Sequence, residues 1–347
     1  MTKYDKPFKT YEELVQIMDD RNITINDKDF TIASLKNISY YTLLNGYQEV
    51  FLSADKVNFD DGVSFYDLYD LHSIDTTLGQ ILFKYILYIE KSLKSILSYV
   101  ISKNHGVYTN RDDYINPCSL NKKKLSHKEN DDYLCYKHYS NGSQKRNILR
   151  DISRNLDVNN PALHHSKSLI YYYDHHNHTP AWILTTSLSF GLTIKWYNIL
   201  NGDDKNEVCN EFIQNKTLSA EQKKEFLSKA LSILKEFRNS IAHGNRTYAN
   251  FGNKRLPKSQ TITLSNGIIT KSMFKNSSSA KSGLLAVVIS LLVLLNDPYK
   301  RANFINELEN LFKPYEDSDV KFGKKSVLEV FKLPREIIVD LKNIYCN

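Results

Sequence analysis

Residues 219–244, SAEQKKEFLSKALSILKEFRNSIAHG, decide the fold class of this chain. The pattern Ser219-x-x-Gln222 is a capping box, which begins a helix. Gly244 is typical of the position immediately after a helix end. Between them, apolar side chains recur at offsets of three and four: Phe226, Ala230, Ile233, Leu234, Phe237 and Ile241. This spacing predicts one amphipathic helix with a single buried face.

Helical spacing also dominates the rest of the chain. Residues 249–282 lack it, and 261–264 (TITL) alternate before Asn266-Gly267, which predicts a short β-hairpin or an ordered loop after the motif helix. The expected fold class is therefore all-α, with a helical and loop subregion inserted into the core. The other predicted helices lie at about 10–18, 32–46, 64–102 with a break near 73–79, 180–200, 283–296, 303–312 and 325–345.

Three parts of the chain differ in character. Residues 1–102 form the N-terminal helical part of the predicted core. Residues 103–179 are rich in Lys, Asn, His and Asp, and form a basic, His-rich insertion. Residues 180–347 form the C-terminal helical part, which carries the motif helix.

The composition is that of a globular protein, with 41% hydrophobic and 24% charged residues. A net charge of +7 permits nucleic-acid binding without requiring it. The start of the chain lacks an apolar signal segment, and the most apolar run, 284–295, is shorter than the ~20 residues that span a bilayer. The cysteines are widely spaced, which favours a reducing compartment without a disulfide framework. A cytoplasmic protein without membrane association is expected.

The end of the motif helix carries two residues whose side chains are suited to catalysis. Arg238 can bind a phosphate through its guanidinium fork, and His243 can transfer protons near neutral pH. Together they predict a ribonuclease that needs no metal or other cofactor. A plainer interpretation is also open, because Arg and His in a last helical turn can simply bond the terminal carbonyls and balance the helix dipole.

The spacing of this pair limits how it can work. Positions five apart on a regular helix differ by about 140° around the axis, so Arg238 and His243 converge only at the helix end or across two copies. Cleavage of RNA by its own 2′-hydroxyl needs a base, an acid and positive charge on the phosphate. One histidine does not easily serve as both acid and base, so a homodimer with two motifs is predicted.

Four segments resemble one protein family. Residues 238–246 (RNSIAHGNR) are similar to the Arg-Asn-x-x-Ala-His signature of HEPN-domain proteins, especially the AbiD/AbiF-type abortive-infection family. Residues 39–47 (SYYTLLNGY), 89–94 (IEKSLK) and 180–191 (PAWILTTSLSFG) resemble further elements of that family, in the same order. Gly244 stands where the family commonly has a second histidine, so the proton-transfer role falls on His243.

The resemblance implies a HEPN-like helical core and an endoribonuclease that acts in anti-phage defence or as a toxin. It assigns catalytic roles to Arg238, Asn239 and His243, with Asn239 orienting the phosphate or His243. It also implies an RNA partner, including a structured noncoding RNA that binds or controls the protein. No DNA partner is expected.

Basic residues outside the motif are candidates for binding RNA phosphates. Their positions are equally consistent with the ordinary solvent-exposed faces of helices. A zinc site is a weaker hypothesis, because His164, His165, His175, His176 and His178 lie far from the cysteines and lack a ligand-pair spacing. No metal site is therefore assigned. The candidate RNA-binding residues are Lys122, Lys123, Lys124, Lys145, Arg146, Arg150, Arg154, Arg246, Lys254 and Arg255.

Two other functions remain open. The first is a catalytically inactive RNA-binding or adaptor protein with the same helical core. The second is a structural dimerisation module without RNA affinity. An intact Arg238 and His243 favour the nuclease, because a relic of the motif would be expected to drift.

Overall fold

The computed structural model describes residues 6–109, 132–140, 142, 144–316 and 320–345. Within these ranges the regular structure is helical, and β-pairing is limited to isolated bridges. The predicted all-α fold class is therefore confirmed. The helices are α1 (Tyr11–Asp20), α2 (Lys28–Ile38), α3 (Gly46–Phe51), α4 (Phe65–His105), α5 (Lys145–Ser153), α6 (Lys167–His175), α7 (Ala181–Leu184), α8 (Phe190–Ile199), α9 (Gly202–Phe212), α10 (Ala220–Ala242), α11 (Lys258–Leu264), α12 (Lys271–Asn276), α13 (Ser278–Ser282), α14 (Leu284–Leu294), α15 (Pro298–Glu316), α16 (Val327–Val330) and α17 (Ile337–Tyr345).

The chain forms two compact units. The first comprises Met1–Phe83, Ser240–Phe251 and Ala302–Asn347, and the second comprises Lys84–Asn239 and Gly252–Arg301. Each unit is assembled from stretches that are distant in sequence. The parts 1–102, 103–179 and 180–347 rest on local changes in composition, and that division of the chain stays a prediction.

Helix α1 in the first unit begins as its sequence predicts. The Glu13 N–H donates to the Thr10 hydroxyl at 3.2 Å, and the Thr10 N–H donates to the Glu13 carboxylate at 2.8 Å. These two bonds satisfy backbone donors that a helix start leaves without partners. The helix start predicted at about residue 10 is confirmed.

The chain after α2 differs from the prediction of one helix ending at Gly46. Helix α2 ends earlier, at Ser39, which has a φ of 62°. A π-helical turn (Tyr41–Asn45) follows, and Gly46 is the first residue of α3. Gly46 is buried, and a Cβ added to it would lie 3.5 Å from the Arg246 Cδ. The glycine thus permits a close approach by another segment and does not terminate a helix.

Helix α4 is continuous, whereas the sequence predicts a break near 73–79. The residues that weaken the pattern have partners in the first unit. Asp75 accepts hydrogen bonds from the backbone of Thr247 and Tyr248. A Cβ added to Gly79 would lie 3.0 Å from the Thr247 hydroxyl and 3.5 Å from an Ile241 methyl group. Tertiary contacts therefore override weak local propensity here.

The core of the second unit includes α14, which is buried along almost its whole length. This confirms that the apolar run of 284–295 is a buried helix. Trp196 on α8 is also fully buried, and its indole N–H donates to the Tyr139 hydroxyl at 3.0 Å. Among the described residues, no helix has the length and apolarity needed to cross a membrane.

Of the two structures predicted after the motif helix, a short β-hairpin or an ordered loop, the hairpin does not form. Residues 258–264 form α11, and Asn266-Gly267 is a turn before α12, with φ values of 49° and 96°. Thr261 and Leu264, three residues apart, are both buried. The Thr261 hydroxyl donates to the Pro257 carbonyl at 2.7 Å. Four alternating residues are too few to distinguish a strand from one helical turn.

The cysteines depart from the expectation of thiols alone. Cys135 is disulfide-bonded. Cys209 carries a buried free thiol. Sequence spacing does not reveal which cysteines are near each other in space, so it did not predict this bond.

Candidate active site

The motif helix α10 has the boundaries that its sequence predicts. The Gln222 N–H donates to the Ser219 hydroxyl at 3.3 Å, and the Ser219 N–H donates to the Gln222 carboxamide at 2.9 Å. Gly244 has a φ of 71°, the left-handed conformation that ends many helices. Both the capping box and the glycine stop are confirmed.

The last turn of α10 closes in a Schellman motif. The Asn245 N–H donates to the Ser240 carbonyl at 3.0 Å, and the Gly244 N–H donates to the Ile241 carbonyl at 2.9 Å. His243 is the first residue after the helix and is exposed. The imidazole is therefore presented to solvent at the C-terminal end of a long helix.

Arg238 lies in the second unit and is held by an acidic residue of α4. Its Nε is 4.0 Å from Oε2 of Glu90, a contact too long for a hydrogen bond but close enough for an ion pair. The Lys94 ammonium donates to Oε1 of the same carboxylate at 2.9 Å. Two cations thus share one anion, and the group keeps a net positive charge. This joins segments 89–94 and 238–246, two of the four that carry the family resemblance.

The exposure of these side chains suits binding of an external anion. Glu90 is only 8% exposed, whereas the Arg238 side chain keeps 35% of its surface accessible. Asn239 is exposed, and its carboxamide oxygen accepts a bond of 3.3 Å from the Arg238 guanidinium. The buried carboxylate therefore orients a guanidinium that remains accessible to solvent.

Arg246 is differently placed from the other candidate RNA-binding residues. It is only partly exposed, and its guanidinium donates to the Gly46 carbonyl in the first unit. Its Cζ also lies 6.0 Å from the centre of the Tyr248 ring. These contacts favour a structural role.

Lys145 has a structural environment as well. It is 1% exposed, its ammonium donates to the Tyr139 carbonyl at 2.9 Å, and it lies 3.4 Å from the centre of the Tyr136 ring. Burial lowers its pKa. A phosphate does not reach this ammonium in the observed conformation.

The remaining basic candidates of α5 lie at the surface. Arg146 and Arg154 are exposed and Arg150 is partly exposed. Their spacing of four places them on one side of the helix and its continuation. Arg154 makes only a long ion pair with Asp151, at 3.6 Å. Lys254 and Arg255 are also exposed, whereas Lys122, Lys123 and Lys124 lie outside the described residues.

The histidine-rich region forms aromatic stacks. The His175 ring lies 4.4 Å from the Tyr171 ring, and the His176 ring lies 4.3 Å from the Tyr172 ring. Among the described residues, no group of three or more His, Cys, Asp or Glu is placed to hold a metal ion. His175 and His176 thus pack against neighbouring tyrosine rings of the same segment.

A separate cavity of about 390 Å³ lies in the second unit. Its lining includes Tyr197, Lys205 and Lys224. Burial lowers the pKa of Lys205, whose ammonium donates to the Asn198 carbonyl at 2.7 Å. None of the predicted catalytic or RNA-binding residues lines this cavity.

The sequence did not single out Asp75 or assign a partner to Glu90. A signal for Asp75 was nevertheless present, because it interrupts an apolar stripe of buried leucines on α4. A carboxylate at a core position is costly unless it has partners. Such a position therefore marks a residue with a specific partner.

Comparison with known families agrees with these observations. The regular structure of the described residues is helical, and the Glu90 carboxylate lies beside Arg238 of the motif helix. The model of the Abi-like protein family matches residues 33–249. The chain therefore belongs to the Abi-like protein family, which points to a role in abortive infection or defence. No curated protein and no solved structure gives a significant match to the chain.

Proposed function

We propose that this chain is a metal-independent endoribonuclease of the HEPN type that acts in abortive infection or as a toxin in the cytoplasm. The observation that carries the proposal is the end of α10, where an exposed His243 follows an Arg238 oriented by the buried Glu90. Both side chains suit RNA cleavage, and both remain accessible to a large substrate.

The chemistry assigns a role to each residue. The Arg238 guanidinium binds the scissile phosphate and stabilises the negative charge that develops on it. His243 takes the proton from the ribose 2′-hydroxyl or gives one to the departing 5′-oxygen. Asn239 orients the phosphate. The 2′-oxygen attacks phosphorus as the bond to the 5′-oxygen breaks, which leaves a 2′,3′-cyclic phosphate and a 5′-hydroxyl.

The reaction needs an acid and a base, and each motif contains one histidine. A homodimer with two motifs facing each other supplies both groups. Dimerisation is therefore part of the proposed mechanism.

The proposed RNA surface extends along α5. Arg146, Arg150 and Arg154 present guanidinium groups at regular intervals, and Lys254 and Arg255 add exposed charge. Contacts with phosphates at these positions are independent of sequence. This surface suits both a substrate RNA and a structured noncoding RNA that restrains the nuclease.

The test compares wild type with Arg238→Ala and His243→Ala in assays of cell growth and RNA integrity. Each variant is expected to lose cleavage by about 10²–10⁴-fold, as for the loss of a proton-transfer or charge-stabilising group. Arg335→Ala and His164→Ala, which change exposed residues elsewhere, are the matched controls. Full activity in Arg238→Ala and His243→Ala would show that the site is wrongly assigned, and full loss of cleavage in EDTA would favour a metal mechanism.

A catalytically inactive RNA-binding protein is the second candidate. The pairing of Arg238 with Glu90 favours it, because a guanidinium engaged in an internal ion pair can serve structure alone. This alternative predicts RNA that co-purifies with the protein and stays intact during incubation. Specific cleavage by the purified protein would exclude it.

A further inference from the structure

A buried carboxylate lies on α4 in the first unit. Asp75 is 2% exposed and accepts four short contacts from three donors. The Thr247 N–H lies 3.1 and 3.0 Å from its two oxygens, the Tyr248 N–H donates at 2.9 Å, and the Tyr47 hydroxyl donates at 3.0 Å. Such a group costs free energy in a core unless its partners compensate it. Here, its backbone partners belong to the segment immediately after the motif.

The same segment is held by the first residues of α3. The Arg246 guanidinium and the Tyr248 hydroxyl both donate to the Gly46 carbonyl, the latter at 3.2 Å. The Tyr47 and Tyr248 rings stack with their centres 5.6 Å apart. Gly46 and Tyr47 therefore contact Arg246 and Tyr248, while Asp75 binds the backbone of Thr247 and Tyr248.

These contacts bear on His243 because the connecting chain is short. Three residues, 244–246, separate His243 from Thr247, and the Schellman bonds fix the chain on the helical side. A residue spans at most about 3.6 Å, so an anchored Thr247 limits how far His243 can move. At Gly79, close packing of α4 against Thr247 and Ile241 leaves little room for a displacement of Thr247.

We propose that Asp75, together with Tyr47, is a positioning residue that fixes the location of His243 by anchoring residues 246–248. The inference rests on the proposed function, in which His243 transfers the proton. It also gives the segment 39–47 a role in the site. Asp75 touches neither substrate nor the reacting atoms in this scheme, and it acts only through the anchored segment.

The test uses the full chain with Asp75→Ala, Asp75→Asn and Tyr47→Phe. The matched control is Asp204→Asn, which changes a carboxylate that is 3% exposed and accepts hydrogen bonds from Asn104 and Asn201 in the second unit. Two readouts are recorded, the NMR resonances of the His243 ring without RNA, and kcat and KM for RNA cleavage. Thermal unfolding of every variant reports loss of stability separately.

Asp75→Ala is expected to shift and broaden the His243 resonances and to lower kcat by about 100-fold, the effect of a misplacement near 1 Å, with KM changed less than about threefold. Asp75→Asn is expected to retain more activity, because its carboxamide oxygen still accepts from Thr247 and Tyr248. Asp204→Asn is expected to lower stability and leave the His243 resonances in place.

The proposed role of Asp75 is overturned if folded Asp75→Ala keeps the wild-type His243 resonances and kcat. Should Asp75→Ala fail to fold, unchanged His243 resonances in Tyr47→Phe, which removes one donor to Asp75, overturn the proposal instead. A wild-type protein that cleaves no RNA refutes the proposed function. The resonances of His243 still decide the proposed role of Asp75 in that case, because they need no activity.

Discussion

The Arg238 guanidinium lies against the Glu90 carboxylate, with Nε 4.0 Å from Oε2. The two residues are 148 positions apart in sequence, and Lys94 binds the other oxygen of Glu90. The Glu90 carboxylate sets the direction of the Arg238 side chain, which would otherwise sample many rotamers. It also leaves 35% of the Arg238 side-chain surface accessible to an external anion.

Glu90→Gln is expected to release Arg238 while keeping the shape of the side chain. We expect RNA cleavage to fall about 10-fold or more, with loss of stability of about 1–3 kcal/mol, because two cations lose their shared anion. Cleavage kinetics and denaturant unfolding measure the two effects. Glu309→Gln is the control, since Glu309 pairs with Lys342 in the first unit. Equal activity in both variants would remove the proposed role of Glu90.

Mixing of subunits tests the composite site. Wild type is mixed with the double variant Arg238→Ala/His243→Ala under conditions that exchange protomers. If each site needs a motif from both protomers, cleavage falls with the square of the wild-type fraction. A linear fall, or a wild-type monomer that cleaves RNA, would contradict the dimeric mechanism.

The basic face of α5 is tested by Arg146→Ala/Arg150→Ala/Arg154→Ala. RNA affinity is expected to fall, and the slope of log K against log salt is expected to lose about 0.7 for each phosphate contact removed from a single strand. Filter binding across a salt series measures this slope. Lys145→Met is the contrasting variant, because the buried Lys145 should affect stability and leave the slope unchanged. An unchanged slope in the triple variant would place RNA on another surface.

Asp75 is expected to give the stability of the fold a measurable pH dependence. Burial raises the pKa of its carboxyl above the ordinary value of 3.8, against the hydrogen bonds from Thr247, Tyr248 and Tyr47 and the charge of Arg246. His72, whose own pKa burial lowers, contacts Tyr47 at the same place. The contribution of Asp75 to the free energy of unfolding is therefore fully present below the unfolded-state pKa of its carboxyl. It is lost as pH rises through the folded-state pKa.

Denaturant unfolding of wild type and Asp75→Asn across pH measures this effect. The stability of wild type relative to the variant should fall as pH rises from about 4. Asp204→Asn should show the opposite sign. Burial would raise the pKa of Asp204, but its bonds from His105, Asn104 and Asn201 outweigh burial and lower it. The stabilising contribution of Asp204 is present at neutral pH and is lost as pH falls through its folded-state pKa. If stability relative to Asp75→Asn and relative to Asp204→Asn changed with pH in the same direction, the pKa directions assigned to the two carboxyls would be refuted.

Local sequence patterns predicted several elements correctly. The helix start at Thr10, the capping box at Ser219, the stop at Gly244 and the buried helix α14 all depend on interactions within a few residues. The same local reasoning failed at 73–79 and 261–264. In the first case, Asp75 and Gly79 look like helix breakers. In the structure, Asp75 accepts a hydrogen bond from the Thr247 N–H, and Gly79 packs closely against Thr247 and Ile241.

The sequence by itself determined the helical fold class, the position of Arg238 and His243 at a helix end, and the family. Helix caps, periodicity and motifs are properties of neighbouring residues, so they are visible without a structure. Only the tertiary structure decided that Glu90 holds Arg238, that Lys145 is buried, and that Asp75 anchors Thr247 from 172 positions away. A buried polar group needs a hydrogen-bonding or charged partner. Tertiary packing determines which groups lie close enough to serve, so these partners cannot be read from neighbouring residues.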